Sequence, residues 1–312
     1  MQLAICTDVF ADLSYTEMLD KVKELGINAV EMTAGGWGAQ KHCNTKELLT
    51  DDKKRDTFMA ELEKRGMRIS ALNTSCNPLW PSETGKQYAK SMYDCAELEG
   101  KLGVKKLVCM AGLPAGNETD TTPNWIVSTI SWPDFMAPAY EYQWKVTIAF
   151  WKEFAAHCKK CGVEQVAIEE FPGTMVWNVE TMLKLREATD QMIGINLDPS
   201  HMIILGADPI ASVRALEGCI FHVHGKDARI EQSVACENGL FEPKPVTEPK
   251  NRSWNYVAVG CGKDLRWWKE FFSVLSMAGY HGDVSLEMED LTMSVEAGVC
   301  TSVDALNQTI SK

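Results

Sequence analysis

Eight times along the chain an apolar run of strand length is followed by a segment with apolar residues at helical spacing. A helix between two strands carries the chain back to its starting end, so successive strands run parallel. The strand-like runs fall at 2–10, 27–34, 69–81, 105–114, 166–170, 192–198, 219–227 and 284–288. The helical segments run from Ser14 to a stop at Gly26, then over 51–66, 84–102, 141–161, 178–189, 208–216, 264–278 and 294–310. Eight such units in 312 residues predict one α/β domain over 1–312, a (β/α)8 TIM barrel. An open doubly wound sheet competes, but no Gly-rich dinucleotide fingerprint follows the first strand, MQLAICTDVF. Two stretches, 115–140 and 228–263, lack periodicity and read as long lids or binding loops.

Polar residues cluster where a barrel builds its site, at the C-terminal ends of strands. The stretch FHVHGKD (221–227) sets His222, His224 and Lys226 on one face of a strand, because side chains alternate. Buried polar groups need partners, so that face is expected to open into a site. VAIEE (166–170), INLDPSHM (195–202) and VSLEMED (284–290) add Glu169, Asp198, His201 and Glu287. Glu169, Asp198, His224 and Glu287 end the fifth to eighth strands. Three carboxylates gathered at one point repel one another unless a cation joins them. Oxygen and imidazole donors together suit one divalent metal, with manganese the leading choice and magnesium, cobalt, iron or zinc as alternatives.

Taken singly these residues have plainer readings. A strand-end glutamate is commonly a surface charge, and Asp198 before Pro199 can simply start a turn. His222 can orient a ligand or be packed; Lys226 and Asp227 can form a buried ion pair or line the pocket. Asn77, Trp80, Trp37 and Trp177 are candidates for a sugar-binding wall, and equally for packing under loops. Cys158 and Cys161 form a CxxC without a second pair, a weak signal for zinc or redox chemistry.

At VAIEEFPG, INLDPSH, FHVHGKD and SLEMED, supported by ISALNTSCNPLWP and GYHGDVSLE, the chain resembles the xylose isomerase-like barrel superfamily of sugar isomerases and epimerases. The resemblance implies that Glu169, Asp198, His224 and Glu287 bind the metal. It implies that His201 contacts substrate hydroxyls and that Glu169 and Glu287 form an acid–base pair. His222, Lys226, Asn77 and Trp80 join His201 as expected substrate contacts. The implied reaction is proton abstraction beside a carbonyl through a metal-stabilised enediolate, giving isomerisation or epimerisation of a sugar or cyclitol. The same intermediate can instead lose a leaving group, as in inosose dehydratases and the α subunits of C-glycoside deglycosidases. Phe171 stands where many relatives carry a histidine, and Ser75 and Trp80 replace histidines of the GNPLHP type. The added bulk favours a larger substrate. A non-catalytic sugar-binding barrel is the alternative from another class.

Composition narrows the partners. A net charge of −12 argues against nucleic acid and an endonuclease IV-like role, which need a basic face. No run reaches the roughly 18 apolar residues of a membrane span, and the N-terminus has no signal-peptide pattern. Eleven cysteines scattered through apolar segments, among them Cys6, Cys109 and Cys219, read as buried thiols of a reducing cytoplasm. No Arg/Lys cluster or phosphate cradle stands near the strand ends. A small carbohydrate is the expected ligand, with a homo-oligomer or a small partner subunit left open.

Overall fold

The structure, a computed structural model, describes residues 1–310. Eight parallel strands close into a barrel: β1 (Gln2–Cys6), β2 (Ala29–Thr33), β3 (Arg68–Asn73), β4 (Lys106–Met110), β5 (Gln165–Glu169), β6 (Ile193–Leu197), β7 (Ile220–Gly225) and, after two further strands, β10 (Asp283–Leu286). Each pairs with its neighbours in sequence, and β1 closes the ring on β10, with Gln2 opposite Asp283 and Ile5 opposite Leu286. The first helix, Tyr15–Glu24, starts where Ser14 and Glu17 form a reciprocal capping box. The main hydrophobic core lies between barrel and helices, around Trp151, Phe154, Trp268, Phe271 and Phe272. No helix among the described residues is long and apolar enough to cross a membrane.

The barrel interior is unusually polar. Arg68 donates to both oxygens of Asp283 near the N-terminal rim. Lys106 Nζ lies 3.4 Å from His222 Nδ1. His222 Nε2 meets Glu31 Oε2 at 2.8 Å and Ser285 Oγ at 2.9 Å. Ladders of backbone hydrogen bonds fix all these strands, so the column of polar side chains stands on a rigid frame.

Four expectations change. The stretch 115–140 is not loop to its end: a helix runs Pro133–Cys161, with Pro133 at its start and Pro138 inside it. Proline signals a loop in sequence, yet Pro133 is tolerated at the helix start, where its missing N–H costs little, while Pro138 removes one backbone hydrogen bond from the second turn. The stretch 228–263 contains structure: β8 (Asp227–Ile230) and β9 (Trp254–Val257) form an antiparallel ribbon, with a helix Gln232–Asn238 between them. The seventh strand stops at Gly225, so Lys226 stands at the junction of β7 and β8. Cysteine burial is also incomplete, since Cys236, Cys261 and Cys300 are exposed.

Candidate metal and active site

Glu169 is the last residue of β5, and Glu287 follows β10 directly. Asp198 follows β6 and caps the short helix Pro199–Ile204. Its Oδ1 accepts from Ser200 N at 2.8 Å and Ser200 Oγ at 2.6 Å, which leaves Oδ2 turned inward. His224 projects from β7 into the barrel, 1% exposed. One ligand atom from each of these four residues lies within 4.8 Å of the others. Bonds of about 2.1 Å to a single ion close that spread with small side-chain movements.

Two observations show that the four fit a cation. His224 Nδ1 faces the carboxylates at 3.2 Å (Glu287), 3.6 Å (Glu169) and 3.7 Å (Asp198). Yet neither His224 Nδ1 nor Asp198 Oδ2, both buried, makes a hydrogen bond of good geometry. Buried polar atoms left this way are rare unless a ligand takes them. The carboxylates are also in excess. Glu31, Glu169, Asp198, Glu287 and Glu289 surround the single lysine Lys226 and the shared imidazole of His224.

Charge is steered by near neighbours. Burial disfavours the His224 cation, but Glu31 and then Glu169 outweigh it and hold the imidazole well above its ordinary value. Burial likewise opposes ionisation of Glu287, and Lys226 and His224 outweigh it, holding that carboxyl below the usual range. Lys226 Nζ sits 3.0 Å from both Glu287 Oε2 and Glu289 Oε2 and over the ring of Tyr256 at 4.4 Å. Those carboxylates keep the lysine charged despite its burial.

A cleft of about 420 Å³ opens above the site, within the range of small-ligand pockets. Glu169, Glu287, Lys226 and Tyr256 line it beside Cys6, Asp8, Asn73 and Ser75. Trp37, Phe171, Val246 and Met288 form an apolar wall. Gly36 brings the Trp37 loop against β3: a Cβ there would meet Ser75 O at 2.2 Å, and its φ is +73°. Only glycine suits both conditions.

The expected substrate contacts separate. Lys226 lines the cleft, but it pairs with Glu287 and Glu289 rather than with Asp227. Asp227 instead accepts hydrogen bonds from the backbone of Ala228, Gly260, Gly262 and Lys263 and from the Trp268 indole, rooting the ribbon. His201 and His222 are fully buried and lie beneath the cleft. His201 Nε2 is 2.9 Å from Glu169 Oε1, and His222 is spent on Glu31, Ser285 and Lys106. Asn77 staples two loops, donating to Leu113 O and accepting from Leu79 N and Leu113 N. Trp80 donates its indole N–H to Thr121 O, and Trp177 packs edge-on against Trp125. Of the four proposed wall residues, Trp37 is the one in the cleft lining.

Sequence reasoning passed over Glu31, Asn73 and Tyr256. Glu31 sits in the middle of β2, a buried charge inside an apolar run, which is a related signal. It accepts from Asn73 Nδ2 at 2.8 Å and sits 3.3 Å from His224 Nε2. With Nε2–H directed at Glu31, Nδ1 is left free for a metal. Tyr256 had no comparable signal, since it lies within an aperiodic stretch.

The family described as xylose isomerase-like TIM barrel matches residues 19–309. The uncharacterized protein YfiH of Bacillus subtilis (strain 168) is 52% identical over 313 residues, covering 100% of both chains. Among solved structures, the probable 3-DHS dehydratase AsbF of Bacillus anthracis superposes with a TM-score of 0.71 at 16% identity, covering 98% of this chain and 99% of that one. The IOLI protein with a bound zinc atom gives 0.67 at 18% identity and full coverage of both chains. The D-psicose 3-epimerase of Clostridium cellulolyticum H10, solved with D-tagatose, gives 0.64 at 14% identity, covering 99% and 98%. At these identities the structural likeness is one of fold.

Proposed function

We propose that this chain, which belongs to the xylose isomerase-like TIM barrel family, is a divalent-metal-dependent isomerase or epimerase of a sugar or cyclitol. The observation that carries this reading is the quartet Glu169, Asp198, His224 and Glu287, with its two unsatisfied buried atoms, opening onto a cleft. Glu169, Asp198, His224 and Glu287 would hold a divalent cation, proposed to be manganese, whose charge would make a C–H beside a bound carbonyl more acidic.

Of the quartet, Glu169 and Glu287 are in the cleft lining. They are therefore the two groups placed to take a proton from the substrate and return it. Return to the opposite face of the same carbon epimerises; return to the neighbouring carbon isomerises. Lys226 keeps Glu287 ionised for this role. Val9, Met110, Phe171 and Met288 wall the cleft with apolar surface that excludes water.

A second reading is favoured by Trp37, Phe171 and Val246, whose bulk suits a substrate with an apolar appendage. On that reading the chain is a lyase that eliminates from a keto-glycoside, working with a small partner subunit.

Elemental analysis of the purified chain beside His224→Ala tests the metal site. One ion per wild-type chain, lost in the variant, supports it; no ion bound and none taken up on titration sinks the enediolate chemistry. Parallel incubations in deuterium oxide, one with D-tagatose or D-fructose and one with a 3-keto-glycoside, then separate the two readings. Deuterium in an epimer or isomer supports the first; an unsaturated product absorbing in the ultraviolet, from a keto-glycoside, supports the second.

A further inference from the structure

We infer that Tyr256 is a positioning residue for this site, acting through His201 to set the direction of the Glu169 carboxylate. The inference rests on the metal-site reading above and deepens it.

The geometry assigns the protons. His201 Nε2 lies 2.9 Å from Glu169 Oε1 and 3.3 Å from Asp198 Oδ2. Both are carboxylate oxygens, which only accept, so Nε2 carries a hydrogen. On the other side of the ring, Nδ1 lies 3.0 Å from the Tyr256 hydroxyl. In a neutral imidazole with its proton on Nε2, Nδ1 accepts, and Tyr256 is the donor. The tyrosine therefore selects the tautomer that points an N–H at Glu169, with Asp198 Oδ2 beside it.

The direction of Glu169 follows. Its Oε1 is held by His201, which leaves Oε2 facing Asn196 Nδ2 at 3.4 Å and His224 Nδ1 at 3.6 Å. Asp198 is held separately, by Ser200 on Oδ1, with Oδ2 toward the ligand cluster. Each carboxylate thus keeps one oxygen aimed where a cation would sit.

Tyr256 is itself held on two sides, and its partner His201 is held as well. The ribbon packs it over the short helix with Ile203, Ile204, Ala228 and Trp254. Lys226 lies over its ring at 4.4 Å, and Phe171 meets the His201 ring edge-on at 4.5 Å. The tyrosine reaches the barrel mouth from outside the barrel sheet, on a strand that none of the eight units requires.

Histidine-labelled protein tests the link directly, with two-bond ¹H–¹⁵N correlation and His201→Gln for assignment. The expected wild-type pattern is the Nε2–H tautomer at His201, lost or averaged in Tyr256→Phe. Zinc titration of Tyr256→Phe, which keeps the ring and removes only the hydroxyl, is expected to show affinity about tenfold weaker. Circular dichroism and melting temperature should stay close to wild type. A wild-type His201 with its proton on Nδ1 overturns the inference whatever the variant does. So does a Tyr256→Phe chain with unchanged tautomer and unchanged zinc affinity. A wild-type chain that takes up no zinc overturns the functional reading instead, and the tautomer pattern still reports on the tyrosine–histidine bond.

Discussion

His222 and His224 stand two residues apart on one strand, their ring centroids 5.8 Å apart, and they prefer opposite charge states. Burial pulls His222 down to about 4, with Glu31 opposing and Lys106 reinforcing the shift. His224 is held well above the ordinary value because Glu31 and Glu169 outweigh its burial. One carboxylate, Glu31, touches both rings. Replacing it by glutamine removes the charge and keeps the shape. Glu31→Gln should weaken metal binding by about 10- to 100-fold, read by zinc or manganese titration. In the metal-free chain it should also lower the His224 pKa, read by proton NMR.

The His222 shift sets a slope in stability against pH. Between about 4 and the ordinary 6.5 the unfolded chain binds a proton that the folded chain refuses. Stability from this residue therefore rises with pH across that window, by at most about 1.4 kcal/mol per pH unit. His222→Gln should flatten that part of the profile, measured by urea unfolding at pH 4.5 and 6.5. An unchanged slope would show that the imidazole is not held neutral.

Glu99 is fully buried on the helix Glu83–Leu102, and burial raises its carboxyl well above the ordinary 4.5. Above 4.5 the unfolded chain releases a proton that the folded chain keeps, so stability falls as pH rises. Glu99→Gln should stabilise the protein at pH 7 relative to wild type and make little difference at pH 4. Denaturant midpoints at the two values decide it.

Lys226 neutralises Glu287 and Glu289 together. Lys226→Met leaves two like charges facing each other at the cleft and should raise the Glu287 pKa. A fall of about 100-fold in kcat is expected, with bound metal retained. Loss of metal along with activity would assign the lysine to building the site rather than to running it.

Asp227 gathers five donors at the base of the ribbon. Asp227→Ala strands several of them in a buried place, at a cost of about 3 kcal/mol. The ribbon should become the first protease-sensitive segment of the variant, read by limited proteolysis.

Much of this was legible in the sequence for a physical reason. A parallel barrel writes itself locally, since each strand and each helix carries its own period, and eight alternations leave few other closures. Glu169, Asp198, His224 and Glu287 were visible because each ends an apolar run, where a charge has no place without a purpose. Glu31 interrupts such a run mid-strand, but its partners His222 and His224 lie more than 190 residues away, and no local pattern announces them. Asn77 and Trp80 misled for the opposite reason. Their polar atoms are spent on backbone groups of neighbouring loops, which residue type alone does not reveal. Tyr256 was hidden because a four-residue strand among prolines and asparagines shows no measurable alternation.

The ribbon makes loop length a matter of odd and even. Trp254 and Tyr256 face the barrel mouth side of β9, while Asn255 between them turns away to Glu231 and Pro249. One residue added just before Tyr256 would hand its place to a neighbour and send the hydroxyl to the far side; two would restore it. Variation in this excursion should therefore be tolerated in steps of two wherever it borders the strand. A drifting length would switch the tyrosine in and out of the site as a unit, with every ligand residue in the barrel left untouched.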